Sequence, residues 1–202
     1  MILVKEKSCI MINNKKDLKE YIDYEKNRYN QKSSIRTYIK KILRNEHAIL
    51  LSFQKRLRRT EYYFNTNKRF LYCISRFHLN YYKNKYGLNI PINTCGKGLK
   101  IMHLGSILIN DNCKIGENVT LHIDTAIAAQ GITNEVPIIG NNVVVGVGAK
   151  LIGGIKIANG IAIGAGAVVT KSFEQENVAL AGVPARVISN NGSATWNTKK
   201  II

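Results

Sequence analysis

The sequence predicts an α+β chain in which a helical N-terminal region leads into a parallel β-helix built from six-residue repeats. Three observations carry this. All 16 glycines lie at position 87 or later and all 10 tyrosines at 86 or earlier, so two structural regimes meet at Tyr86-Gly87. From Ile109 an aliphatic residue returns every six positions, at Ile115, Leu121, Ile127, Ile139, Val145, Leu151, Ile157, Ile163 and Val169, with one miss at Thr133. Residues 1–86 contain neither glycine nor proline. A six-residue beat fits neither a 3.6-residue helix nor a two-residue strand alternation. It is the signature of a hexapeptide-repeat solenoid, in which each repeat is too short to bury its own apolar residue and must stack on its neighbours.

The elements follow in order. Ser33 or Ser34 is a candidate N-cap, followed at helical spacing by Ile35, Tyr38, Ile39, Ile42 and Leu43. A second apolar-then-basic helix is expected over residues 47–59, and a third, aromatic-rich, over 70–86, stopping at Gly87. The segment before about Lys16 shows no clear period. In the repeats the slot after each aliphatic residue is often small, as at Gly116, Gly140, Gly146, Ala158 and Gly164. Residues 131–137 read as a loop that interrupts the beat. The chain thus divides into a basic, Tyr-rich helical region (1–86), a repeat domain (87–189) and a tail (190–202) expected to be loose.

The formal net charge is +17, and it is unevenly placed. Residues 1–100 hold 23 Lys and Arg against 7 Asp and Glu, whereas residues 101–202 hold 7 against 6. The basic half has three readings: a solvated helix face, an anionic membrane surface or acidic polymer, or nucleic acid. Nucleic acid is the least favoured partner. No apolar run reaches the roughly 18 residues of a membrane span, and the start lacks a signal-peptide pattern. Cys9, Cys73, Cys95 and Cys113 have no zinc or Cys-x-x-Cys spacing. They read as reduced thiols of a cytoplasmic protein, possible peripheral membrane contact aside.

Several ordered motifs narrow the reading. They are residues 86–91 (YGLNIP), 96–105 (GKGLKIMHLG), 136–143 (VPIIGNNV), 163–171 (IGAGAVVTK) and 181–186 (AGVPAR). Together they resemble the serine acetyltransferase-like branch of the hexapeptide-repeat acyltransferases, which includes O-acetyltransferases of capsular and exopolysaccharide synthesis. The resemblance covers about half the chain. It implies a left-handed β-helix, a homotrimer, and acetyl-CoA as co-substrate in a groove between subunits, with no metal.

The resemblance implies that His103 is the catalytic base. On spacing alone His103, six before Ile109, falls in a nominally inward slot and reads as a buried core histidine. The family orients this histidine with an aspartate, where this sequence has Asn89; Asp124, one coil later, is the candidate substitute. For acetyl-CoA the resemblance implies backbone contacts at Gly146, Val147, Gly164 and Ala165, a position near the thioester at Ala129, and nucleotide-end contacts from Lys171, Pro184 and Arg186. Close approach of a narrow pantetheine arm is the physical reason for small residues there, and cations meet phosphates. Turn sterics alone would also account for the small residues.

The acceptor is less direct. Serine acetyltransferases grip the serine ammonium with an aspartate just before the histidine and its carboxylate with an Arg-His pair. Here those positions are Met102, Glu135 and Val136. The expected acceptor is therefore a sugar hydroxyl of a polysaccharide, with serine as the alternative and a non-catalytic scaffold as a second one. The terminal Ile202 favours serine weakly. A zinc anhydrase on this fold needs three histidines, and His47 and His78 lie in the helical region, so that reading is set aside.

Overall fold

The computed structural model describes residues 11–29, 43, 45–194 and 196. Among these, three helices come first: α1 Lys15–Arg28, α2 Glu46–Asn65 and α3 Arg69–Tyr86. The helix expected from Ser33 or Ser34 falls, apart from Leu43, outside the described residues. Helix α1, where the sequence shows no clear start, is fixed by reciprocal capping: Asn14 Oδ1 accepts from the Asp17 N–H at 2.9 Å, and Asp17 Oδ2 from the Asn13 N–H at 3.1 Å. Helix α2 starts on Asn45, whose side chain accepts from the His47 N–H. Helix α3 stops at Gly87 in a left-handed conformation (φ 69°), as the sequence predicts.

Fourteen short strands follow among the described residues: β1 Leu88–Asn89, β2 Lys100–Ile101, β3 Ile107–Ile109, β4 Lys114–Ile115, β5 Thr120–Leu121, β6 Thr125–Ala128, β7 Ile138–Ile139, β8 Val144–Val145, β9 Lys150–Ile152, β10 Lys156–Ile157, β11 Ala162–Ile163, β12 Val168–Val169, β13 Ala179–Ala181 and β14 Arg186–Ser189. They form three sheets, β1-β3-β6-β9-β12, β4-β7-β10 and β2-β5-β8-β11-β13-β14. All neighbours are parallel except β13–β14. Successive coils therefore make a three-faced prism. Its aliphatic columns, such as Ile101-Leu121-Val145-Ile163-Leu180, are buried inside.

The corners are made by left-handed residues three positions before and after the aliphatic column. Gly98, Asn118, Asn142, Gly160 and Asn177 form one such line; Asp124, Gly148 and Gly166 form another. Glycine, asparagine and aspartate are the residues that tolerate this conformation.

Helix α2 closes the open first coil. Leu50, Phe53 and Leu57, on one helical face, are fully buried and share the core with Leu88, Ile90, Leu99 and the columns beyond. Arg58, 1% exposed, then ties three elements together. It pairs with Glu25 of α1 at 2.6 Å and Glu61 of α2 at 2.9 Å, and donates to the carbonyls of Cys95 (2.9 Å) and Gly96 (2.7 Å). Burial works against its charge, but the two carboxylates hold the guanidinium charged well above its ordinary range.

Residues 192–193, at the start of the tail, pack against the prism. Gly192 and Ser193 are buried; the Ser193 N–H donates to Gly160 O at 2.8 Å and its hydroxyl to the Asn142 carbonyl. A Cβ on Gly192 would collide with the backbone of Gly160 and Asn177, so only glycine lets the chain lie this close.

Candidate active site

His103 does not occupy an inward slot. Ile101 and Ile109 are both buried, and the step of eight positions from one to the other is two more than the beat allows. The surplus is spent at the corner after β2. The His103 side chain is 56% exposed there, while Leu104 packs against the core. The buried core histidine suggested by spacing is thus replaced by an exposed corner histidine.

The strand registers place other residues on the same corner. Ile101 pairs with Leu121, Leu121 with Val145, Val145 with Ile163, and Ile163 with Leu180. Two residues on, His103, Ile123, Val147, Ala165 and Gly182 therefore form one line. Bonds from the Gly148 N–H to Ile123 O (3.0 Å) and the Gly166 N–H to Val147 O (2.8 Å) confirm this register. At about 4.8 Å per rung, Val147 lies roughly 10 Å from His103. Gly146 and Gly164 sit one position before, where the backbones stack closely: a Cβ on Gly146 would fall 2.7 Å from Ile163 O. Pro184 and Arg186 flank the far end, in the turn after β13 and on β14, and both are exposed.

Ala129 and Lys171 stand on another corner. Ile127 pairs with Leu151 and Leu151 with Val169, so Ala129, Gly153 and Lys171 line up two positions further on. Lys171 is exposed, with its Nζ 5.5 Å from the Phe173 ring centroid.

The two expected orienting residues do not bond to the histidine. Asn89 lies on β1, exposed, pairing with Leu108 of β3. Asp124 is a left-handed turn residue; its N–H donates to Ser106 O and its carbonyl accepts from Lys150 Nζ. The requirement for that backbone shape accounts for its identity.

The carboxylate beside the ring is Glu46, in the first turn of α2. Its Oε1 accepts from the Leu104 N–H at 2.7 Å, and its Oε2 lies 3.4 Å from His103 Nδ1. Sequence reasoning missed it because 57 residues and a helix-to-coil contact separate the two. A first-turn glutamate after Asn45 reads as ordinary helix-dipole chemistry.

His122 lies one rung from Met102 and adjoins this site. Its N–H joins the ladder to Val145 O, its Nε2 is buried, and Trp196 stands edge-on at 5.9 Å. Burial, then the charges of His103 and Lys100, push its imidazole below the ordinary range. Among the described residues no group of three His, Cys, Asp or Glu could hold a metal ion.

No protein-family model matches the chain. Serine acetyltransferase of Bacillus pumilus (strain SAFR-032) is 31% identical over 182 residues, covering 88% of this chain and 78% of that protein. The chain belongs to the serine acetyltransferase family. Serine acetyltransferase of Buchnera aphidicola (subsp. Acyrthosiphon pisum) is 30% identical over 147 residues, covering 70% of this chain. The match takes in 52% of that relative, so the chain spans about half its length. Among solved structures, serine acetyltransferase from Brucella abortus strain S19 superposes with a TM-score of 0.69 at 21% identity, covering 89% of this chain and 72% of that one. The same enzyme in complex with coenzyme A gives 0.61 at 23% identity, covering 87% and 67%. The fold is theirs: a helical region followed by a left-handed parallel β-helix. The serine acetyltransferase family is one of acetyl-CoA-dependent acyltransferases.

Proposed function

We propose that this member of the serine acetyltransferase family transfers the acetyl group of acetyl-CoA to the hydroxyl of serine, with His103 as general base. The observation that carries the reading is the shared corner, with the exposed His103 at one end and Val147 and Ala165 two and three rungs along it. A pantetheine arm laid on that line reaches the imidazole with its thioester. A neutral ring nitrogen takes the hydroxyl proton as the oxygen attacks the thioester carbon. Collapse of the tetrahedral intermediate expels the coenzyme A thiolate, which recovers that proton from the imidazolium. Backbone N–H groups at the corner are the candidate oxyanion donors.

Ala129 and Lys171 can meet the same cofactor only from a different corner, hence from a neighbouring copy. This supports a homotrimer with the cofactor between subunits, a closed arrangement that buries the prism edges.

Serine is preferred because the relatives matched are serine acetyltransferases. A specific observation favours a second reading, a sugar hydroxyl. Met102 offers no charge for an ammonium group, and Val136 packs against the core instead of gripping a carboxylate. The test is thiol release from acetyl-CoA with serine and with a panel of nucleotide-sugars and oligosaccharides. Turnover on serine, lost by about 10²–10⁴ in His103→Ala, is expected. Turnover on a sugar alone would move the assignment to the second reading. No release with any acceptor would leave a scaffold.

Contact with an anionic membrane surface or acidic polymer is a further part of this reading. Helix α3 carries four Lys or Arg and no Asp or Glu, and exposes Phe70, Ile74, Phe77 and Tyr81 along one stripe. Basic and aromatic side chains together suit an anionic headgroup region.

A further inference from the structure

We infer that Glu46 is the residue that positions His103, so that the acid partner of the catalytic imidazole comes from helix α2 and not from the strand position held by Asn89. The inference rests on the proposed role of His103 and deepens it.

The carboxylate is held at both oxygens. Oε1 takes the Leu104 N–H at 2.7 Å, which leaves Oε2 facing Nδ1 of the neighbouring ring at 3.4 Å. Helix α2 cannot drift, since Leu50, Phe53 and Leu57 are fully buried in the first coil. Gln54, two turns beyond Glu46, donates from Nε2 to Leu99 O, just before β2. The helix is therefore tied to the strand leading into His103 on one side and to the corner itself on the other.

An ionised carboxylate has no proton to give, so Nδ1 must carry the hydrogen. That fixes the tautomer: Nδ1–H donates to Glu46, and Nε2 keeps the lone pair needed to deprotonate a hydroxyl. As the proton arrives on Nε2, the negative charge stabilises the imidazolium. Asn89, exposed on β1, supplies neither effect.

The substitution Glu46→Gln separates this from packing. The amide oxygen replaces Oε1 at the Leu104 N–H, and the amide nitrogen then faces Nδ1. A donor there favours a lone pair on Nδ1 and the hydrogen on Nε2, the wrong tautomer for the base. The ring nitrogens are read by nitrogen NMR on selectively labelled histidine, alongside thiol-release kinetics. The expected result is a shift toward the Nε2–H tautomer, with kcat down about 10–100-fold and the acceptor KM within about twofold; the loss is set below that for a fully buried triad because the site is open to water.

Unchanged tautomer populations with kcat within twofold would overturn the proposal. So would a raised serine KM at full kcat, which would make Glu46 a grip for the substrate ammonium. The tautomer readout needs no turnover. If wild-type protein acetylates nothing yet Glu46→Gln shifts the tautomer, the proposed activity fails while the positioning contact stands.

Discussion

Replacing Arg58 by Met should cost more stability than any single change on the prism. Arg58 is 1% exposed, and its guanidinium donates to Glu25, Glu61 and the carbonyls of Cys95 and Gly96. Removing it leaves two carboxylates of like charge in one buried space and two carbonyls without that donor. Breaking a buried pair from one side costs about 3–5 kcal/mol. At about 2–4 °C per kcal/mol for a chain of this size, Tm should fall by about 6–20 °C.

The loss should also depend on pH. Burial pushes the Glu25 carboxyl above its ordinary value even with Arg58 beside it, and without Arg58 it rises further. A carboxyl whose folded value is raised supports folding below its unfolded value and loses that support as pH climbs through the folded value. The Tm deficit of Arg58→Met should therefore be larger at pH 8 than at pH 5. Adding Glu25→Gln and Glu61→Gln should recover much of it. Thermal unfolding at fixed protein concentration measures all of this. A deficit under about 3 °C, or one identical at the two pH values, would refute the reasoning.

Two further outcomes are expected. His122, pushed below the ordinary 6.5 by burial and by the charges of His103 and Lys100, should titrate below 6.5 by NMR; because its folded value is lowered, stability is kept above pH 6.5 and lost as pH falls through that range. His122→Phe should blunt that acid-side loss, and a midpoint at or above 6.5 would sink the account. Phe70→Ser with Phe77→Ser should weaken binding to vesicles of anionic phospholipid, and added salt should weaken the wild-type binding, since exposed charges are screened beyond about 8 Å at physiological ionic strength. Wild-type protein that ignores such vesicles at low salt would leave α3 as a solvated helix.

The repeat domain was legible because its periodicity is enforced by stacking. Each aliphatic residue that keeps the six-residue beat, from Ile109 to Val169, lies inside the prism, since one misplaced side chain would break a column shared by every coil. The stop of α3 was legible for a local reason, the glycine at 87; α2, expected over 47–59, instead runs six residues further to Asn65. Helix α1 was not, because its start depends on Asn14 accepting from the Asp17 N–H and Asp17 from the Asn13 N–H, while few of its residues are buried. Nor was the packing of residues 192–193, whose reason is the close backbone approach at Gly192.

The site divides along the same line. The line of His103, Val147 and Ala165 follows from motif and register together, because parallel coils turn sequence spacing into position. The environment of His103 did not follow from the beat, since the corner after β2 carries two extra residues and turns an inward slot outward. Asp124 illustrates the opposite error. A carboxylate one coil from a histidine looks like a partner by chemistry, yet its left-handed backbone, shared in line with Gly148 and Gly166, explains it as a turn residue. Glu46 reaches the histidine only because α2 seals the first coil through Leu50, Phe53 and Leu57. Helix packing that stabilises the open end of the prism thus also decides which carboxylate stands beside the imidazole. A substitution that shifts α2 on the first coil should therefore disturb His103 without touching it, which a periodic reading of the repeats could not have foreseen.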